Sequence, residues 1–327
     1  MWPFTGSAPS VWLALYLVTF ALHVVLISYV VAGTAYALVQ ALRRREDPIA
    51  ERARDLLPFM LGLGITAGVA PLLFLQLLYQ RQFYTANLLL GPRWGAVVPA
   101  LIVGFYALYL AKATGVMRWR RVALAIALVC FTFVAWSWSE LHLVMQDQPA
   151  WRSMYAAGDR FYAQSGVLPR LLLWLGAMAT LFATLAAWWA AAPDRRRLAV
   201  IAISGRIVSA LAIGLLVAAD AAVISAAHGW LYVLVGAVAA ELIGWAWTWR
   251  APDGAGLSFV TGAGTAALIA AVVVREAPRL AVIEAPRAAA LEAAGFPVFA
   301  LTALLGVGLI AWIVRSIRGQ PGSRPSS

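Results

Sequence analysis

The stretch WSWSELHLVMQ, residues 136–146, places two ionisable side chains in a long apolar run. Glu140 and His142 lie near the end of the run 121–146, which is otherwise suited to lipid or to a helix bundle. An ionisable group at membrane depth is costly, so it usually faces the protein interior and marks a site. We therefore expect both side chains to meet other polar groups inside a bundle.

Composition points to a protein that crosses the membrane several times. Of 327 residues, 63% are hydrophobic and only 12% are charged, with a mean hydropathy of +0.83, whereas about a quarter of a soluble domain is charged. The basic pI of about 10.5 comes from arginines in short loops, which favours positive-inside topology over a nucleic-acid surface. Cys130 is the single cysteine, so no intrachain disulfide and no covalent Cys-x-x-Cys-His haem is expected.

Nine runs are long enough to cross a bilayer as helices, which takes about 20 apolar residues each. They cover residues 11–42, 57–79, 94–113, 121–146, 168–192, 198–227, 230–249, 257–274 and 297–317. The runs are too long for the strands of a barrel, which is the other structure that satisfies the backbone in lipid. The sequence therefore predicts an all-α, polytopic transmembrane bundle of about nine helices, forming one domain over 1–320 and followed by a disordered tail at 321–327.

The loops predict the orientation of the bundle in an inner (cytoplasmic) membrane. Of the 25 basic residues, 17 fall on one side of the runs, and that side should be cytoplasmic. The N-terminus is then outside and the C-terminus inside. The segment RRREDPIAERARD at residues 43–55 is predicted to be a solvated cytoplasmic turn. Segments 80–93, 147–170 and 275–296 form the largest outer surfaces, where we expect other membrane or periplasmic subunits to dock, with lipids but no nucleic acid as further partners.

Five acidic or histidine residues lie within the apolar runs, and a rise of about 1.5 Å per residue places all of them in the outer half or at the midplane. They are His23, Glu140, His142, Asp220 and Glu241. Neither Asp220 nor Glu241 has an arginine or lysine within a helical turn. Each is either a protonated or hydrogen-bonded carboxyl that joins two helices, or part of a proton relay or ion site. The segment SAAHGW is predicted to be the turn between the sixth and seventh runs.

Three chemistries fit this set of residues. His23 or His142 can ligate haem iron, with a second axial ligand such as Met145. A depth offset of roughly 10 Å by helical rise argues against both histidines sharing one iron. A bound metal ion is less favoured, because no H-x-x-x-H or E-x-x-H spacing occurs. The carboxyls and histidines can also handle protons for quinol chemistry.

The second run is rich in small residues, which permit close contact between membrane helices. These residues are Gly62, Gly64, Ala67 and Gly68.

Residues 1–192 resemble the N-terminal half of subunit I of cytochrome bd-type quinol oxidases. The resemblance lies in FALHVVL around His23, in GITAGVAPLLFLQLLYQRQFYTAN, and in VMQDQP, which contains Met145 and Gln146. Nine helices with the N-terminus outside also match that subunit. The resemblance implies that His23 ligates a b-type haem, since the family's helix 1 histidine is a haem ligand.

Three departures from the family's pattern bear on activity. The family's helix 3 glutamates are absent from GAVVPALIVGFYALYLAKATG. Leu172, Leu173 and Trp174 stand where the low-spin haem histidine would fall. The long quinol-binding loop is replaced by AAHGW. Oxygen reduction in that family's manner is therefore not expected.

These observations lead to three functional hypotheses. The first is a membrane subunit of a respiratory or electron-transfer complex, not catalytic alone, that serves as an anchor or scaffold with one b-type haem or a quinone or lipid pocket. The second is a transporter or proton-conducting subunit that uses Asp220, Glu241, Glu140 and His142; a two-fold internal repeat would favour it, and we see none. The third is a structural subunit whose buried polar groups only specify helix pairing.

Overall fold

The computed structural model describes residues 8–45, 47–158, 164, 166–219, 222–252 and 254–282, together with positions 301, 304, 305, 308, 312 and 315. Within these residues every regular element is helical, which confirms the all-α prediction. The helices are α1 (Ala8–Leu42), α2 (Pro48–Leu78), α3 (Gln80–Leu90), α4 (Pro92–Gly95), α5 (Val97–Ala113), α6 (Met117–Gln146), α7 (Trp151–Ala157), α8 (Val167–Ala187), α9 (Ala192–Ala219), α10 (Ala222–Arg250) and α11 (Gly254–Val282).

The chain is a multi-pass membrane protein. Eight stretches of the described residues are long and apolar enough to cross a bilayer. Seven are all or part of α1, α2, α6, α8, α9, α10 and α11, and the eighth, Pro92–Ala113, comprises α4 and α5 together. They correspond to the first eight predicted runs. Of the ninth run, 297–317, the structure describes six positions, all helical, and the remainder lies outside the described residues together with the tail 321–327.

Short connections pair the spanning helices, as expected for helices that are neighbours in sequence. The pairs are α1 with α2, α5 with α6, α8 with α9, and α10 with α11. Helix α1 also packs against α6, α8 and α11, so it lies at the centre of the bundle. Residues on α1 can therefore meet side chains from several other helices.

Buried apolar side chains form two main clusters along the bundle. One contains Tyr36, Leu57 and Phe182 and lies toward the end where α1 meets α2. The other contains Tyr79 and Met145 and lies toward the end that carries α3. The ionisable residues described below lie largely beside the second cluster.

Helices α8 and α9 approach so closely that two facing positions have no room for a side chain. A Cβ atom at Gly205 would lie 2.9 Å from Thr180 Oγ1 and would also strike the backbone of Gly176. The close approach lets side chains bond the opposite backbone: Thr180 Oγ1 donates to the Ala202 carbonyl at 3.0 Å, and Ser209 Oγ to the Leu173 carbonyl at 3.0 Å. Such contacts drive association where lipid removes the hydrophobic difference between helices.

The predicted turn at residues 43–55 is wrong in its second half, because α2 begins at Pro48. Asp47 caps the helix: its Oδ1 accepts a hydrogen bond from the Ala50 N–H at 2.9 Å, and Pro48 occupies the first helical position. Asp47 is also buried, and it accepts hydrogen bonds from Tyr36 (3.0 Å) and from Arg197 on α9. The segment therefore joins α1, α2 and α9.

Two boundaries in the last third of the chain also differ from the prediction. SAAHGW is helical within α10, since it contains no proline and its alanines favour helix. The described part of α9 ends at Ala219 and that of α10 begins at Ala222. Helix α11 continues to Val282 with Pro278 inside it, because the helix buries Glu276 and Arg279 against the bundle. Residues 275–282 are thus no outer loop, and 283–296 lie outside the described residues.

The other two predicted outer loops contain short helices. Helices α3 and α4 occupy most of 80–93, and α7 lies within 147–170. Trp151 at the start of α7 donates its indole N–H to the Val144 carbonyl at 2.7 Å, which holds α7 on the end of α6.

Candidate functional site

His23 lies against the glycine-rich face of α2. Its Nδ1 is 2.9 Å from the Gly64 carbonyl oxygen. Because a carbonyl can only accept, Nδ1 carries the proton of the neutral ring, and the lone pair is on Nε2. Histidines that ligate metals usually donate their other ring N–H to such an acceptor. The predicted haem ligand is therefore held in the tautomer that leaves Nε2 able to bind iron.

The imidazole of His23 also contacts the backbone of α2 one turn further along. A Cβ atom at Gly68 would lie 2.8 Å from His23 Cε1 and 2.9 Å from Nδ1. At Gly62, on the same helix, a Cβ atom would meet nothing within 4 Å. Of the four small residues singled out in the sequence, Gly64 and Gly68 thus contact the histidine, whereas Gly62 does not.

His142 has a different environment from His23. It is 4% exposed, and the Arg279 guanidinium on α11 donates to its Nδ1. Nδ1 must then hold the lone pair, and Nε2 carries the proton of the neutral ring. Since the lone pair is already used by Arg279, this arrangement favours His23 over His142 as the iron ligand.

Arg279 belongs to a buried polar cluster that the sequence did not reveal. Arg279 donates to both oxygens of Glu276 at 3.0 Å, one turn earlier on α11. Its Nη1 also lies 3.5 Å from the Tyr16 hydroxyl, which accepts a closer hydrogen bond of 3.2 Å from Arg275. The sequence signal for the cluster was REAPR, with Glu276 and Arg279 three apart, but the eighth predicted run ended at residue 274.

Aromatic rings lie against the arginines of this cluster. The Arg275 guanidinium lies 4.7 Å from the centroid of Phe20, and that of Arg279 lies 5.0 Å from Tyr79. Tyr16, Phe20 and His23 are spaced along one face of α1, so the cluster and the candidate iron ligand share that face.

Met145 follows His142 by one helical turn and is fully buried among apolar neighbours, which include Leu141, Val144 and Phe83. Two residues three apart on one helix lie on the same side of any shared ligand. Met145 and His142 therefore do not form an opposed axial pair. Met145 as a partner to His23 stays a prediction.

Glu140 meets an arginine that we had placed in an outer loop. Arg93, on α4, is buried, and its guanidinium lies 3.7 Å from the Trp136 ring centroid and 3.8 Å from Glu140 Oε2. The other carboxylate oxygen of Glu140 accepts a hydrogen bond from the Gln164 backbone N–H at 3.3 Å. The expectation that the stretch 136–146 meets polar groups from elsewhere is thus met twice, by Arg93 and by Arg279.

Glu241 pairs with an arginine that lies 35 residues away in the sequence. Arg206 is one of the 17 basic residues assigned to the cytoplasmic side, but it lies inside α9. Its Nε and Nη2 donate to Glu241 Oε2 at 2.8 Å and 2.5 Å. The carboxyl therefore joins two helices, one of the two roles expected of it. Its Oε1 faces Gly264 on α11, where a Cβ atom would lie 2.9 Å away. Asp220 lies outside the described residues.

The residues singled out in the sequence do not converge on one site. His23 lies with α2, His142 with α11, Glu140 with α4, and Glu241 with α9. In the described parts of the chain, no group of three or more His, Cys, Asp or Glu side chains is arranged to hold a metal ion. A porphyrin needs only one or two axial ligands, so the haem proposal depends on His23 alone.

No model of a known protein family matches the chain, and neither does any curated protein.

Proposed function

We propose that this protein is the membrane subunit of an electron-transfer complex and that it binds one b-type haem through Nε2 of His23. The observation that carries the proposal is the hydrogen bond from His23 Nδ1 to the Gly64 carbonyl, which leaves Nε2 as the nitrogen with the lone pair. The resemblance of residues 1–192 to subunit I of bd-type quinol oxidases supports the same residue. A b-type haem bound there would supply one-electron redox chemistry.

Residues of α1 and α2 would bind and orient the haem. His23 provides the ligand atom, Gly64 holds the ring by its Nδ1 proton, and Gly68 leaves space for the ring. The neighbouring Phe20 and Tyr16 lie on the same face of α1 and carry the contacts with Arg275. The positive charge of Arg275 and Arg279 would favour the anionic propionates of a haem or the headgroup of a lipid or quinone.

The missing quinol loop and the missing helix 3 glutamates favour an anchor or electron-carrying role over oxygen reduction. We propose that the subunits that exchange electrons with it contact α3, α4 and α7, the helices at the end of the bundle that carries the His142–Arg279 cluster. These helices cover most of the predicted outer surfaces that the structure describes.

A reduced-minus-oxidised visible spectrum of the purified chain tests the proposal. We expect the bands of a b-type haem in wild type, in His142→Ala and in His228→Ala, and their loss in His23→Ala, with all four proteins eluting alike from a sizing column. Bands that persist in His23→Ala but vanish in His142→Ala would move the ligand to His142 and contradict the proposal. A flat spectrum from the well-folded wild type would contradict haem binding altogether.

One observation favours proton conduction as a second candidate function. Glu140 Oε2 and Glu241 Oε1 are buried and have no hydrogen-bond partner among the described residues. A carboxyl oxygen in that position can carry a proton. Proton flux into proteoliposomes that falls in Glu241→Gln or Glu140→Gln, with no haem bands in wild type, would support this function over electron transfer.

A further inference from the structure

The contact between His23 and α2 is more specific than the packing of two membrane helices requires. The ring meets two glycines four residues apart, Gly64 and Gly68, which lie on one face of α2. One supplies a carbonyl oxygen and the other supplies space. The two contacts constrain different properties of the ring.

The Gly64 carbonyl determines the tautomer. It belongs to a residue 41 positions away in sequence, and it lies 2.9 Å from His23 Nδ1. Gly64 packs directly against α1: a Cβ atom there would lie 3.4 Å from the Ile27 side chain, an ordinary van der Waals contact. The hydrogen bond thus depends on the close approach of α1 and α2.

The absence of a side chain at Gly68 determines where the ring lies. A methyl group there would come within 2.8 to 2.9 Å of two ring atoms, closer than Cβ atoms occur in proteins. The ring can yield only by rotating away from the Gly64 carbonyl or by separating the helices. Either movement lengthens the hydrogen bond that holds the tautomer.

We propose that Gly64 and Gly68 are positioning residues that hold His23 with Nδ1 protonated, so that Nε2 is the atom presented to haem iron. This inference rests on the proposed function, because it specifies how the same site is held in the binding geometry. Partners of this kind around a metal-binding histidine typically contribute 10–100-fold to metal affinity.

The first test compares Gly68→Ala with Gly62→Ala, a substitution on the same helix at a position with open space. Alanine is the better helix former in both, so helix propensity alone would stabilise both variants. We expect haem affinity to fall about tenfold or more in Gly68→Ala and to remain unchanged in Gly62→Ala. Equal haem affinity in the two variants, both folded by sizing column and circular dichroism, would overturn the inference.

The second test does not need haem. Nitrogen NMR of the haem-free chain carrying ¹⁵N-histidine reports the protonated nitrogen of each ring, and the His23→Ala spectrum identifies the signal of His23. We expect a protonated Nδ1 and a bare Nε2 in wild type and in Gly62→Ala, and a mixture of tautomers in Gly68→Ala. A wild-type ring protonated on Nε2, or a Gly68→Ala signal identical to wild type, would overturn the inference.

The two tests separate failure of the inference from failure of the proposed function. A wild-type chain without haem bands refutes haem binding, and the NMR result then decides alone whether the glycines position the ring. Haem bands that survive Gly68→Ala at full affinity leave the haem proposal standing and refute the positioning role.

Discussion

Arg279 on α11 donates a hydrogen bond to Nδ1 of His142 on α6, so two residues 137 positions apart in sequence meet in the buried part of the bundle. Arg279 also bonds Glu276, so one guanidinium contacts both an imidazole and a carboxylate. Removal of the guanidinium leaves the buried carboxylate with only the more distant Arg275, whose Nη1 lies 3.8 Å from Glu276 Oε2. The cluster therefore joins α11 to α6 through hydrogen bonds between their side chains.

Arg279→Leu should destabilise the fold strongly, because breaking a buried pair by removing one partner costs about 3–5 kcal/mol. Arg196→Leu on the exposed face of α9 is the control and should change the free energy of unfolding by no more than about 0.5 kcal/mol. Unfolding by SDS titration of micelle-embedded protein measures both values. Similar stability of the two variants would show that Arg279 does not hold the helices together.

Much of the fold could be predicted from the sequence because lipid imposes simple rules on length and polarity. Runs of apolar residues located eight spanning helices, although their ends moved where local chemistry was overlooked. Asp47 followed by Pro48 is a helix start, yet the surrounding charges made the segment resemble a solvated turn. Pro278 resembled a helix end, yet α11 continues through it because Glu276 and Arg279 are buried.

The partners of the buried charges could not be predicted, since each is distant in sequence. Arg206 is 35 residues from Glu241, and Arg279 is 137 residues from His142. Arg279 was assigned to the outer segment 275–296, and Arg206 was counted among the basic residues of the cytoplasmic side. Only the arrangement of the helices shows that Arg206 meets Glu241 and that Arg279 meets His142.

The Arg206–Glu241 pair should behave differently when one partner or both are replaced. Glu241→Leu alone leaves a buried guanidinium and should cost about 3–5 kcal/mol, whereas replacing both partners with apolar residues of similar volume is often neutral or stabilising. We therefore expect the Arg206→Met, Glu241→Leu double variant to recover most of the stability lost in Glu241→Leu. SDS titration of wild type, both single variants and the double variant completes the cycle, and additive losses would refute a direct pair.

Asp47 should make stability depend on pH in the acid range. Burial raises the pKa of Asp47, but the Ala50 N–H, the Arg197 guanidinium and the Tyr36 hydroxyl together outweigh it and lower the pKa below its ordinary value. A carboxyl whose pKa is lower in the folded state stabilises the fold above its unfolded pKa of about 3.9. That contribution is lost as the pH falls through the folded pKa.

Asp47→Ala should therefore lower the free energy of unfolding by about 1–3 kcal/mol at neutral pH, from the lost cap and the lost hydrogen bonds. The difference from wild type should shrink below about pH 4. Asp55→Ala, which removes an exposed pair with Arg54, serves as the control and should cost less than about 1 kcal/mol at any pH. A pH-independent difference for Asp47→Ala would contradict the charge-based explanation.

The close contact of α8 and α9 predicts a steric effect at Gly205. Gly205→Val would push a side chain into Thr180 and the Gly176 backbone and should destabilise the protein by about 1–3 kcal/mol. Gly214 lies on the same helix with nothing within 4 Å of its hypothetical Cβ, so Gly214→Val is the matched control. Thermal unfolding in detergent should show a lower midpoint for Gly205→Val alone. Equal midpoints for the two variants would mean that the helices can separate at no cost.

The central claim is that His23 ligates a haem, and a pyridine haemochrome assay on the purified, folded chain tests it most directly. We expect about one b-type haem per wild-type chain and none in His23→Ala, since the ligand atom is Nε2 of that ring. Haem at the wild-type level in His23→Ala, or none in folded wild type, would contradict it.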